Sequence, residues 1–483
     1  MLDLIQWRAR KTPEAPALFF NGRWYTFREL EGRANRLASR LLTLGVRRGD
    51  RVSVLARNHP VHFDLCFAAA KIGVIFAPLD PALSAESLLA LAQQIQPSLV
   101  FADSRHHATA AALGVQWARL SDYRDWLAVG SPEPLPAPAL GVDETHTLYA
   151  TPRGIAQLPY RQVLLNARHA ADAWGLSTTD CTVHCLPCHG PTFNLLCLPL
   201  LYRGGRVVLM SGFDTDEFLG HLALHRVTVA ALDPWMLRRL TQFDDFGEAD
   251  LSSIDWLASV GGPVSLAVRQ ALRERGLKLR LLTATAEAGP HLFQADLADC
   301  EARPELLGRP LPDTQLSVLQ PSGQLVAEGE AGELCVTGPM TFSAYLGTAG
   351  VLPATPISTG LAVRAGRDGQ YSLLGRSDEA FEAAGQRVYP GEIEAALLRC
   401  EAVQDAAVFG WPQSDGEQVI VAAVVLGERG ASDDEALSKE VAAQLLAPLR
   451  PAHFLRLKML PRDAATGQPD RRALLQTFLA TRG

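Results

Sequence analysis

The sequence predicts an α/β protein: a large N-terminal domain of layered parallel sheets with a β-rich subdomain, then a small α+β C-terminal domain. Three observations carry this. Helical and strand periods alternate through the first hundred residues and beyond; from about Gly308 short strands separated by Gly, Pro and Asp replace that alternation; and a compact run of strands and helices follows Gly375–Asp378. Alternation of this kind favours parallel sheets covered by helices, whereas short strands between turn residues mark a β-rich subdomain. At 483 residues the chain exceeds what one core holds, at roughly 100–200 residues per domain. The expected division is residues 1–376, with the β-rich subdomain at about 308–374, and residues 377–483.

The elements follow in order. Phe27–Leu44 places apolar residues at three- and four-residue steps and reads as a helix closed by Gly45, with Arg51–Leu55 as the next strand. His62–Ile72 reads as a helix, Val74–Ala77 as a strand, Ala85–Gln96 as a helix and Ser98–Ala102 as a buried strand. Proline-rich Ser131–Leu140 is a loop that delivers the chain to a strand near Thr147–Tyr149. Gln315–Leu319, Gly332–Val336 and Tyr371–Leu374 are the strands of the subdomain. The tail then reads as helix Gly391–Leu398, strands Val403–Gly410 and Gln418–Leu426, helix Asp434–Leu446 and a strand around Phe454–Leu457. Asp433–Glu440 is a solvated helix start whose acidic residues suit the macrodipole.

Composition excludes several classes of function. Hydrophobic residues at 48% against 20% charged argue against general disorder. A net charge of -7, from 45 basic and 52 acidic residues, argues against a dominant nucleic-acid role. Only five of the basic residues are lysines (Lys11, Lys71, Lys278, Lys439 and Lys458). The N-terminal residues lack the order of a signal peptide, and no stretch approaches the roughly 18 apolar residues of a membrane span. Eight cysteines without a framework spacing read as reduced thiols of a cytoplasmic protein.

Some motifs read as structural. Cys185-Leu186-Pro187-Cys188-His189 has the c-type haem attachment spacing, with Cys181 and His184 close by, but no second Cys or His pair completes a zinc set. Packed thiols are the preferred reading, and no metal site is expected. Gly323, Gly329 and Gly332 lie among turns rather than in a strand–loop–helix unit, and Gly261–Ser265 lacks a nucleophile elbow's context.

Five collinear blocks carry a resemblance. They are Asn58–Ser84, the turn Gly261–Ser265 (GGPVS), Gly308–Gly347, the stretch Gly375–Glu394 (GRSDEAFEAAGQRVYPGEIE) and the loop Leu460–Leu474. Together they resemble the adenylate-forming superfamily of acyl-CoA synthetases, aryl-acid ligases and peptide-synthetase adenylation domains. The resemblance implies a large substrate-holding domain and a small mobile lid that rotates between two half-reactions.

Adenylation displaces pyrophosphate from ATP, so the phosphates need amides, hydroxyls and cations around them. The family supplies a Gly/Ser/Thr-rich loop ending in lysine, a Thr-Glu pair for magnesium, an aspartate for the ribose and a C-terminal lysine. Here the phosphate loop would begin at Tyr149; it is short, keeps the hydroxyl of Thr151, has one glycine and no lysine. Pro152 and Pro159 each remove an amide donor, and Ile155 and Leu158 offer nothing to a polyphosphate. Arg153 reads as an arginine of a surface loop, with a surrogate cation as the alternative. Glu287 matches the magnesium carboxylate, but Ala286 replaces the threonine in Thr283-Ala284-Thr285-Ala286-Glu287. Leu361 stands at the ribose aspartate, and Gln468, in Thr466-Gly467-Gln468, at the C-terminal lysine; Glu382 stands at an often basic hinge position. The resemblance thus implies a vestigial nucleotide site of Thr151, Arg153, Gly261, Gly262, Thr283, Thr285, Leu361 and Arg376.

The other half-reaction keeps more of its residues. Arg376, Asp378, Gly385, Arg387, Pro390 and Glu394 match the hinge pattern, and the loop around Gly385 corresponds to one that approaches a phosphopantetheine arm. A glycine closing a hairpin is the equally weighted structural alternative. His189, Gly262 and Ala284 would line an acyl pocket, with a structural histidine as the alternative for His189.

Three functions are expected from this. The first is a member with an eroded adenylation site that is non-catalytic or handles acyl thioesters. The second is an active AMP-forming ligase using ATP and magnesium, with Arg153, Glu287, Arg376 and Arg471 as replacements. The third is an acyltransferase using preformed thioesters. No cofactor is firmly expected beyond CoA or a phosphopantetheine thioester. The implied partners are an acyl carrier protein or biosynthetic enzyme and a small acyl or aryl group, with no nucleic acid and no membrane span.

Overall fold

A computed structural model describes residues 3–136, 138–289, 292–295, 297–311, 314–348, 350, 355–414, 416–427, 434–462 and 468–481. Thr466, Gly467 and Asp433 lie outside these residues.

Two seven-stranded sheets form the large domain. In the first, Leu279–Leu282, Trp256–Val260, Val229–Leu232, Cys181–His184, Arg206–Leu209 and Pro16–Phe20 run parallel, with Arg23–Thr26 antiparallel at the edge. In the second, Thr145–Thr151, Ile75–Phe76, Arg51–Leu55, Leu99–Ala102 and Gln116–Arg119 run parallel, and Gly154–Pro159 and Ala344–Tyr345 complete it antiparallel. Helix Val61–Ile72 is buried at every position and helix Phe193–Arg203 along most of its length. The charged members of the first helix are buried as pairs, Asp64 with Arg33 at 2.6 Å and Lys71 with Asp3 at 3.0 Å. The Phe63 and Phe193 rings meet edge to face at 4.9 Å where these two helices approach.

The β-rich subdomain is one antiparallel sheet in the order Phe293–Gln294, Leu306–Pro310, Tyr371–Arg376, Ile357–Ala365, Ala331–Thr337, Gln315–Leu319. Beyond it lies the hairpin Phe381–Ala383/Gln386–Val388. A separate three-stranded sheet, Val403–Pro412, Gln418–Leu426 and His453–Arg456, packs with helices Pro390–Leu397, Asp434–Ala442 and Arg471–Ala480 around its own apolar clusters.

Two local expectations are corrected. The helix from Asp434 ends at Ala442, not Leu446. Arg450 donates to the carbonyls of Ala442 and Leu445, at 2.9 and 3.1 Å, in place of further helical N–H groups, and a separate 3₁₀ turn follows at Ala447–Leu449. The stretch after Tyr149 is a hairpin rather than a loop, turning at Pro152-Arg153. Ile155 and Leu158, which have nothing to offer a phosphate, are 5% and 1% exposed because they belong to the core.

The interior also holds neutral imidazoles. Burial lowers His62 and His146 to about 4, and burial followed by the nearby His62 lowers His184 to about 3. Nε2 of both His62 and His184 is buried without a hydrogen-bond partner. The unfolded chain therefore binds protons that the native state refuses once the pH falls below about 6.5. Their contribution is complete above that value and is expected to be lost by up to about 1.4 kcal/mol per histidine per pH unit between roughly pH 6 and 4, offset in part by Asp233 and Glu379, whose raised carboxyls hold native-state protons over the same range. Urea midpoints that stay level from pH 7 to pH 5 would contradict this.

Candidate functional site

The site is built where the Tyr149–Pro159 hairpin, the Thr283–Glu287 segment and the β-rich sheet converge. Glu287 is 3% exposed, and its Oε1 accepts a hydrogen bond from Tyr345 Oη at 2.8 Å. Arg153 Nη2 lies 3.0 Å from the same oxygen. The other guanidinium nitrogen of Arg153, Nη1, donates to the Ser358 carbonyl at 2.9 Å and to Ser358 Oγ at 2.5 Å. Ser358 Oγ in turn donates to Glu333, which also accepts from Ser377 Oγ at 2.9 Å. One polar chain thus runs from Glu287 to the hinge. Burial, then the Glu287 charge, pushes the Tyr345 phenol up, so it stays a donor.

Local sequence explains how Arg153 arrives there. Thr151 Oγ1 donates to the Gly154 carbonyl and accepts from Arg153 N, so this hydroxyl serves its own turn. Gly360 has φ 75°, and a Cβ there would stand 3.3 Å from the Arg153 guanidinium. A side chain at that position would be strained and would crowd the arginine. Arg153 is therefore not a stray surface arginine. That reading is corrected: the hairpin aims it at a buried carboxylate.

The other candidates are placed as follows. Thr283 is buried, Ala284 half-buried, and Thr285 Oγ1 is buried with no hydrogen-bond partner. Ala286 is 2% exposed and its carbonyl accepts from Gln162 Nε2. Leu361 pairs across the sheet with Arg376 and packs against the core, and Arg376 forms a two-pronged bond to Asp378 at 2.9 and 2.6 Å. Gln468 reaches the turn: a Cβ on Gly261 would lie 3.3 Å from its Nε2. Gly262 faces Pro234. His189 Nε2 lies 3.4 Å from Asp80, and burial lowers its pKa against the pull of that carboxylate. Cys185 and Cys188 are 4% and 0% exposed, and burial raises both thiols. Gly385 has φ 71° beside Ala384 at φ 50°, the two-residue turn of a hairpin, and a Cβ on it would meet nothing within 4 Å. Arg387 lies 3.8 Å from Glu382.

Several residues escaped sequence reading. Tyr345, Ser358 and Glu333 lie far from Glu287 in the chain, and no spacing rule links them. Asp233, beside Pro234, has a carboxyl pushed up to about 6 by burial. Glu379, also missed, is bonded at the hinge by Arg471, which bonds Glu394 too, at 2.8 and 2.7 Å, and burial raises Glu379 to about 7. A cleft of about 600 Å³ opens beside the polar chain, lined by Arg153, Ser358, Ser377, Arg387 and Tyr389 with apolar Phe342 and Ile357. Asp405 of the small domain pairs with Arg238 of the large one at 2.9 Å and with its own domain's Arg462 at 2.7 Å.

Known proteins share this architecture. The model of the AMP-binding enzyme family matches residues 5–139 and 150–346, and that of the AMP-binding enzyme C-terminal domain matches residues 392–467. A feruloyl-CoA synthase of an Amycolatopsis species is 30% identical over 442 residues, covering 89% of each chain. A fatty acid–[acyl-carrier-protein] ligase of Streptomyces coeruleorubidus is 26% identical, covering 99% of this chain and 96% of the other. Among solved structures, an anthranilate CoA ligase in complex with anthranoyl-AMP superposes with a TM-score of 0.90 at 20% identity, over 100% of this chain and 98% of that one.

Proposed function

This chain belongs to the AMP-binding enzyme family, and from that premise we propose that it handles an acyl or aryl thioester without activating carboxylates from ATP. The observation that carries the reading is the engagement of Glu287. A carboxylate that is to hold magnesium must present free oxygens to the ion, which prefers near-octahedral oxygen coordination. Glu287 presents Oε1 to Tyr345 and Arg153, so a guanidinium already supplies beside it the positive charge that the ion would bring. The same ion pair takes the cation of the phosphate hairpin, and Ser358 takes its Nη1. Leu361 offers no acceptor to a ribose, and Gln468 brings an uncharged amide to the Gly261 turn. These residues do not fit magnesium-ATP.

Thioester chemistry needs none of those groups. A thiol attacks a supplied acyl thioester, the new C–S bond forms as the old one breaks, and the leaving thiolate takes the proton. In this reading the Gly385 hairpin, Asp378 and Arg387 guide a pantetheine arm toward the cleft, and His189, Gly262 and Ala284 bound the acyl group. The feruloyl and anthranoyl groups named for its relatives favour an aryl acyl group. The acyl-carrier-protein ligase favours a carrier protein over free CoA as the donor, in a cytoplasmic acyl or secondary-metabolite pathway. The second reading, an active AMP-forming ligase, draws on Arg153 as a surrogate cation beside the retained Glu287.

The two separate by measurement. No ATP–pyrophosphate exchange is expected across a panel of aryl and acyl acids, and magnesium-ATP is expected to leave the melting temperature unchanged while pantetheine thioesters raise it. Exchange that depends on magnesium and on one acid would establish the active ligase instead.

A further inference from the structure

Helix Leu266–Glu274 follows the Gly261–Ser265 turn and carries Arg269 and Arg273 one turn apart. Strand Leu279–Leu282 adds Arg280, whose guanidinium lies over the Trp256 ring at 4.3 Å. The three arginines line one narrow cavity of about 30 Å³, together with Ser259 and the exposed Glu301. Such a space, by the measure of roughly 10–15 Å³ per water, admits a small tetrahedral ion but not a nucleoside.

Arg269 lies nearest the small domain's own charge. Its Nε is buried without a hydrogen-bond partner, and among the described residues neither Arg269 nor Arg273 is within ion-pair distance of a carboxylate. Its neighbours carry its own sign: burial, then Arg399 of the small domain, then Arg273, disfavour its charge, and Glu305 opposes them only weakly because it pairs with Arg399 at 3.2 Å. A guanidinium does not deprotonate in proteins, so the cost stays until an anion arrives. The cavity lies within the large domain, on the helix that meets the small one. Ser259 Oγ donates to the Gly262 carbonyl at 2.5 Å, and Leu266 N donates to Leu398 O of the small domain at 2.7 Å.

We propose that this cavity binds one inorganic oxyanion of the phosphate type, held by Arg269 with Arg273 and Arg280, and that its occupancy steadies the docking of the small domain by relieving the repulsion between Arg269 and Arg399. The site is independent of the thioester reading. The test uses the full chain and inorganic phosphate, with chloride at matched ionic strength as the reference. Calorimetry is expected to show one saturable site and a melting temperature that rises with phosphate. Arg269→Gln is expected to weaken binding at least about tenfold, as loss of a charge-assisted bond does, with Arg269→Lys intermediate. In phosphate-free buffer Arg269→Gln is expected to melt no lower than wild type, because it removes a repelled charge; an arginine needed only for packing would give a drop. Phenyl phosphate as a second probe identifies the source: exclusion marks a free anion, and equal binding marks a phosphomonoester held by the same chemistry. Absence of saturable binding up to roughly 10 mM phosphate, or wild-type affinity in Arg269→Gln, would overturn the proposal.

Discussion

Arg153→Ala is expected to lower the unfolding free energy by about 2–3 kcal/mol, far more than a surface ion pair at roughly 0–1. The side chain of Glu287 is only 4% exposed, against 29% for that of Arg153, so truncating the arginine strands a charge that water barely reaches. Among the described residues Tyr345 would then be its hydrogen-bond donor, with Arg376 a more distant cation. Glu287→Gln added to Arg153→Ala is expected to regain most of the loss, since a neutral amide is cheaper to bury than an unpaired carboxylate. This cycle, read from urea midpoints, separates a structural pair from a residual ligand site. A loss below about 0.5 kcal/mol for Arg153→Ala would show that the pair is loose and that Glu287 is available to other partners.

The second large effect concerns rescue. Leu361→Asp with Gln468→Lys restores two of the missing groups, and in an intact site each such stabiliser is worth about 10²–10³ in rate. Here the pair is expected to restore no ATP–pyrophosphate exchange. The hairpin at Thr151–Gly154 turns too tightly to wrap a triphosphate, its hydroxyl serves its own turn, and Glu287 stays engaged. Exchange recovered by those two substitutions would mean that the hairpin opens and Arg153 releases Glu287 on demand.

The layered α/β design, the switch to a β-rich subdomain and the α+β tail were legible in the sequence because each rests on a local period; that the subdomain's strands run antiparallel came from the structure. The polar chain at the site was not. Arg153 looked like a chance loop arginine because, within the hairpin, it is one: only the arrival of Glu287 and Ser358 from distant segments gives it a role. The short spacing that promised a loop hid a strand, since Ile155 and Leu158 were judged by what they offer a phosphate and not by the sheet they complete.

What the sequence by itself determined was the list of groups present and missing: a carboxylate at 287, no lysine in the hairpin or at 468, a leucine at 361. Chemistry of that kind is a property of residue type and needs no coordinates. Which groups are already satisfied was decided only by tertiary structure. Burial makes a carboxylate take a permanent partner, and that partner is set by which segments the packed core brings together, not by their order along the chain.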